Sequence, residues 1–267
     1  MRLDDVRGFV FDIDGSLVHR GSDYRPLPLP GAVEVLESIR TSGRPFVLFT
    51  NGSHVSPETF ARGLRDEGLP VEDRELLTPV CSALSYIDRR HRGRRAMVFG
   101  SDATRERVAR AGVPLTDGED AELVFVTHVE QVDLDALERA ARAVSRGARL
   151  LTANYQSGYW GANGPIFSRG AMLTAGIAKV TGARPIVVGK PSKAAVREIS
   201  DRLGLPSADL AVIGDDLGMD IALGHLGGSR TILVRSGMSG SVDLKSVPER
   251  QRPDAVVDGV QELLPWL

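Results

Sequence analysis

Short, unbroken apolar runs that stop abruptly at polar or acidic residues recur along the chain. Residues 8–11 (GFVF) lead into Asp12, residues 45–49 (PFVLF) into Thr50 and Asn51, and residues 210–213 (LAVI) into Gly214, Asp215 and Asp216. Residues 231–234 (TILV) form another such run. Continuous apolar runs bounded by turn residues predict strands buried on both faces, as in a parallel sheet.

Between these runs lie helical patterns. Pro30 predicts a helix start, with Val33, Leu36 and Ile39 on one face and Gly43 just past the end. Ser56-Pro57-Glu58 opens a second helix running to Gly68. Ser192 caps a third, with Val196, Ile199 and Leu203 inward and Gly204 as terminator. Strand-helix-strand alternation predicts a doubly wound α/β sheet, in which ligands bind outside the carboxyl ends of the strands. The polar strand ends should therefore converge. The middle of the chain repeats the alternation on its own, with strands over 96–99, 123–126 and 149–152 and helices over 102–111 and 133–145. The expected organisation is a doubly wound parallel-sheet core over 1–82 and 183–267, with a smaller α/β domain inserted over 83–182.

Composition narrows the picture without redirecting it. The 267 residues are 42% hydrophobic and 25% charged, and 33 basic against 35 acidic residues leave a formal charge of −2. No long block of one sign calls for nucleic acid or an anionic membrane as partner. The cluster Arg89, Arg90, His91, Arg92, Arg94, Arg95 reads as a solvated helix end and turn. A single cysteine, Cys81, rules out an intrachain disulfide framework and suits a small core residue. Neither a leader-like apolar stretch near Met1 nor a membrane-length apolar window is present, so the expected compartment is the cytoplasm.

Four segments carry candidate chemistry. In Asp12-Ile13-Asp14-Gly15-Ser16, two carboxylates at i and i+2 follow a buried strand, an arrangement suited to a hard divalent cation. One carboxylate can form a covalent phosphoryl intermediate and the other can move protons. A calcium loop fails on spacing, because glycine stands fourth and no Glu follows at the twelfth position. Thr50-Asn51-Gly52-Ser53 offers a hydroxyl and main-chain N–H groups to phosphate oxygens, although such a turn is also commonplace. Gly189-Lys190-Pro191-Ser192 sets a lysine just before a helix, where it can neutralise clustered anions. In Gly214-Asp215-Asp216-Leu217-Gly218-Met219-Asp220, Asp215 is the expected direct metal ligand. Asp220 is expected to orient the ligands and Lys190, with Asp216 able to face solvent; helix N-capping by these acidic residues is the plain alternative. His19, His54, His91, His128 and His225 show no metal-ligand spacing, though His54 lies four residues past Thr50.

Taken in order, these segments resemble the four motifs of the haloacid dehalogenase superfamily, and the resemblance covers essentially the whole chain. It implies that Asp12 is the nucleophile and Asp14 the general acid/base. It further implies phosphate binding by Thr50, Asn51 and Gly52, with Lys190 as the third-motif lysine, and Mg²⁺ held by Asp12, Asp215 and the main-chain carbonyl of Asp14. An Asp at position 14 marks phosphatases and mutases. The stretches Leu29-Pro30-Gly31, Phe49 to Ser53, 147–154 and 187–192 resemble the class IIA branch, which carries a large α/β cap between the second and third motifs. Caps of that branch often mediate homodimers. The cap segment here reads Ala153-Asn154-Tyr155-Gln156, where the branch usually has Thr-Asn-Pro-Asp, so neutral Gln156 replaces an acidic residue. Asn154 and Gln156, followed by Tyr155, Tyr159, Trp160 and Arg169, are candidate contacts to the leaving group; a hinge and packing loop is the equal alternative. The implied function is Mg²⁺-dependent hydrolysis of a small phosphorylated metabolite through an aspartyl-phosphate. Phosphotransfer on the same core, or a silent metabolite-binding scaffold, are the alternatives.

Overall fold

A computed structural model describes residues 2–21, 24–161 and 164–267. In chain order the first elements are β1 (Gly8–Phe11), β2 (Val18–Arg20), β3 (Pro26–Pro28), α1 (Ala32–Thr41), β4 (Phe46–Phe49), α2 (Pro57–Asp66) and β5 (Leu76–Leu77). There follow α3 (Pro79–Arg90), β6 (Ala96–Phe99), α4 (Asp102–Arg110), β7 (Leu123–Val126), α5 (Leu134–Ser145) and β8 (Arg149–Thr152). The hairpin β9 (Gly158–Gly161) and β10 (Gly164–Phe167) leads into α6 (Arg169–Thr181) and β11 (Ile186–Val187). The chain closes through α7 (Lys193–Leu203), β12 (Leu210–Gly214), α8 (Ala222–Gly227), β13 (Arg230–Val234) and β14 (Ala255–Val257).

These elements form two compact units. The first comprises residues 1–50, 57–77 and 191–267, and the second residues 51–56 and 78–190. In the first unit six strands run in the order β14-β13-β12-β1-β4-β5, every pairing parallel. All four residues of β1 and of β4, and all five of β12, are buried, as strands covered by helices on both faces must be. Phe9, Phe11 and Phe49 anchor this core, and truncating one of them to alanine would cost about 3–5 kcal/mol. The chain steps from β1 to β4 on one side and returns to place β12 on the other. The order therefore reverses at β1, the doubly wound arrangement with its crevice between β1 and β12.

The second unit holds a four-stranded parallel sheet, β11-β8-β7-β6, and the antiparallel β9–β10 hairpin. Its core joins Met97, Phe99, Val124, Val126, Ala140, Val144, Leu150, Leu173 and Ile177 from the sheet and from α5 and α6. Ser101 and Asp133 cap α4 and α5 by accepting main-chain N–H bonds. Among the described residues no helix is long and apolar enough to cross a membrane.

One helix reading needs correction. The helix expected from Pro30 begins at Ala32, because Gly31 takes a left-handed φ of 78° against Gln261, and Val35 rather than Val33 joins Leu36 and Ile39 in the core. The runs forming α3 and α6 carry no expectation from sequence. In α6 the apolar residues are spread around the helix, so no face stands out.

Candidate functional site

The main-chain N–H of Asp12 donates to Ile213 at 2.8 Å, so β1–β12 pairing persists to the last residue before the turn. Asp12 and Asp215 thus leave neighbouring strands at the crevice. Beyond β12 the backbone makes a π-helical turn, Leu217–Ile221, capped by Asp216, whose Oδ1 accepts from the N–H groups of Gly218 (2.7 Å) and Met219 (3.2 Å). Wider than an α-turn, it carries Asp220 back to the strand end, where its Oδ2 accepts from the Asp216 N–H at 3.1 Å. Carboxylate oxygens of Asp12, Asp215 and Asp220 consequently lie within 4.8 Å of one another. Asp215 and Asp220 are buried at 3% and 2% exposure, and Asp12 is half-buried. At an effective dielectric of 20, two like charges at that spacing repel by about 3.5 kcal/mol. An all-oxygen, all-anionic donor set of this kind fits a hard divalent cation.

The trio is tightly framed. Ser16 Oγ donates to Asp12 Oδ2 at 3.3 Å, and the Met238 N–H donates to Asp215 Oδ2 at 2.6 Å. Ser239 donates its N–H to the Asp215 carbonyl, and its hydroxyl accepts from the Leu217 N–H. A Cβ on Gly237 would stand 1.8 Å from Asp215 Oδ2, and one on Gly15, whose φ is +89°, would stand 2.4 Å from the same atom. Only glycine lets both loops close around this carboxylate.

Asp14 takes another direction. Its side chain lies outside the trio and accepts from Arg20 Nε at 2.6 Å. Thr50, at the end of β4, is buried, and its N–H donates to Leu77 at 3.2 Å.

The second unit assembles its own polar edge at the carboxyl ends of its strands. Lys190 is 3% exposed, and both faces of its peptide are held by the Asn51 carboxamide: Oδ1 accepts the Lys190 N–H at 2.8 Å and Nδ2 donates to the Lys190 carbonyl at 2.9 Å. Gly52 follows half-buried, and Ser53 Oγ accepts the His128 N–H at 3.1 Å. The rings of His54 and His128 meet edge to face at 6.1 Å and line a cavity of about 850 Å³ that also receives Arg105 and Arg139. Asn154 is half-buried, and its Oδ1 accepts from Ser168 at 3.4 Å; Gln156 is half-buried and Tyr155 exposed. Tyr159 and Trp160 fall on β9, and their side chains lie outside the described residues.

Three contributions escape sequence reading. Ser16 carries a legible signal, four residues after Asp12 in the same motif. The 236–239 segment carries one too, since it follows β13 and strand ends converge in this fold. Arg20 carries none, because a hairpin delivers it.

Two family models match the chain: one described as haloacid dehalogenase-like hydrolase over residues 9–114, the other as HAD-hydrolase-like over residues 187–263. Ribonucleotide monophosphatase NagD of Escherichia coli (strain K12) is 31% identical over 261 residues, covering 97% of this chain and 98% of that protein. Dihydroxyacetone phosphatase of Corynebacterium glutamicum is 27% identical, covering 96% and 90%. Among solved structures, p-nitrophenyl phosphatase from Archaeoglobus fulgidus superposes with a TM-score of 0.88 at 29% identity, over 98% of this chain and all of that one.

Proposed function

The chain belongs to the haloacid dehalogenase-like hydrolase family, and from that premise we propose that it is a phosphatase hydrolysing small phosphorylated metabolites with Asp12 as nucleophile. The observation that carries this reading is the meeting of Asp12 with Asp215 and Asp220 within 4.8 Å at the crevice of the sheet. Relatives named for ribonucleotides, dihydroxyacetone phosphate and nitrophenyl phosphate share a phosphate monoester and little else, which supports assigning the class rather than one substrate.

In this account a carboxylate oxygen of Asp12 attacks phosphorus in line. The ester P–O bond breaks, and the departing oxygen takes a proton from Asp14. A water molecule then gives a proton to Asp14, and its oxygen displaces Asp12 from phosphorus. Ser16, donating to Asp12, fixes which oxygen faces the reaction. Thr50 presents its hydroxyl to the phosphoryl oxygens, with Asn51 and Gly52 following it. Lys190, its peptide clamped by Asn51, supplies positive charge against the phosphoryl group. Mg²⁺, held by Asp12, Asp215 and the Asp14 carbonyl with Asp220 alongside, would offset the negative charge on the phosphoryl oxygens when bound. Residues 83–182 act as the cap, with Asn154 and Gln156 among the residues that select the leaving group.

Release of phosphate from 4-nitrophenyl phosphate by the purified protein tests the reading. Turnover should need Mg²⁺, stop with excess EDTA and return when Mg²⁺ is restored. A rate indifferent to chelation, or no release at all, would refute it.

A further inference from the structure

Arg20 is held from three sides, and one of its partners is Asp14. Its Nε donates to Asp14 Oδ1 at 2.6 Å, its Nη1 donates to the Tyr24 carbonyl at 3.1 Å, and its guanidinium lies 5.2 Å from the centre of the Phe60 ring. Each support has a structural origin. The Asp14–Val18 bridge folds the chain back on itself, and β2 then pairs with β3 so that Arg20 stands opposite Pro26. Tyr24 adopts φ 63°, the one positive φ among described non-glycine residues, a conformation that costs of order 1 kcal/mol or more. Phe60 is buried on α2 and gives the guanidinium a fixed platform. The planar guanidinium presents its donors in fixed directions, so it serves the carboxylate through Nε and the carbonyl through Nη1 at once.

We infer that Arg20 is a positioning residue for Asp14, holding that carboxylate in the orientation from which it serves the leaving group. The inference rests on the phosphatase reading and on Asp14 as its proton donor. In the step concerned, the ester P–O bond breaks, its electron pair stays on the ester oxygen, and that oxygen takes the Asp14 proton. A leaving group such as 4-nitrophenolate departs without that proton, whereas an alkoxide requires it. In this first step Arg20 therefore matters for alkyl phosphates and far less for aryl ones, whereas the later step, in which water gives its proton to Asp14, is common to both.

The test compares wild type, Arg20→Gln, Arg20→Lys and Asp14→Asn on glycerol phosphate and 4-nitrophenyl phosphate. The expected result is that Arg20→Gln lowers kcat/KM, which reports the steps up to departure of the leaving group, at least about 10-fold more on the alkyl ester than on the aryl ester. A general acid contributes roughly 10²–10⁴-fold, so a loss of about 10-fold is a partial one, in keeping with a residue that acts through Asp14. Arg20→Lys should recover part of the selective loss, and adding Arg20→Gln to Asp14→Asn should remove little more. Equal losses on both esters, or a full further loss in the double variant, would overturn the inference while leaving the phosphatase reading intact. Wild-type protein inactive on both esters would overturn the two together.

Discussion

The Met238 N–H donates to Asp215 Oδ2 at 2.6 Å, and the residue before it, Gly237, has no room for a methyl group because that same oxygen would lie 1.8 Å away. A loop that the motifs leave unmarked thus sets the direction of a central carboxylate. On the proposed Mg²⁺ reading Gly237 and Met238 stand one step removed from the metal, where altering a residue typically changes affinity about 10–100-fold.

Gly237→Ala should accordingly raise the Mg²⁺ concentration needed for half-maximal phosphatase rate by about 10–100-fold. The rate at saturating Mg²⁺ should change less. A Mg²⁺ titration of the variant decides it, and an unmoved midpoint would mean that the loop does not govern Asp215.

Asp220→Asn removes one of three clustered negative charges while keeping an acceptor for the Asp216 N–H. Metal-free protein should melt higher, by about 2–4 °C for each kcal/mol of repulsion relieved. The rise in Tm on adding Mg²⁺ should shrink. Thermal unfolding with EDTA and with Mg²⁺ checks both parts; a lower metal-free Tm with an undiminished Mg²⁺ increment contradicts them.

Asn51→Ala strips the Lys190 peptide of an acceptor and a donor at once. Each lost bond contributes about 1 kcal/mol, more where the peptide group is left without a partner. We expect a destabilisation of about 1–3 kcal/mol in urea unfolding and a drop in kcat of tenfold or more with a smaller change in KM. Native-like kcat would show that the Lys190 backbone needs no clamp.

The meeting of Asp12 and Asp215 follows from features legible in the sequence: unbroken apolar runs become central parallel strands, and their polar ends face one crevice. Asp220, expected to orient the ligands and Lys190, lies within 4.8 Å of the carboxylates of Asp12 and Asp215. The π-helical turn over 217–221 brings it in, and no residue pattern announces such a turn. Asp216, half-buried, caps that turn. The Asn51 carboxamide is engaged at both ends by the Lys190 main chain, a long-range pairing that local sequence cannot encode. Arg20 reaches Asp14 because the chain folds back through the Asp14–Val18 bridge, a return that local sequence does not announce.

Asp12→Asn tests the central claim most directly, since it keeps the size of the side chain and removes the attacking anion. Phosphate release from 4-nitrophenyl phosphate in saturating Mg²⁺ should fall by at least about 10⁴-fold, with folding preserved by circular dichroism. Turnover within about tenfold of wild type would show that another group attacks phosphorus.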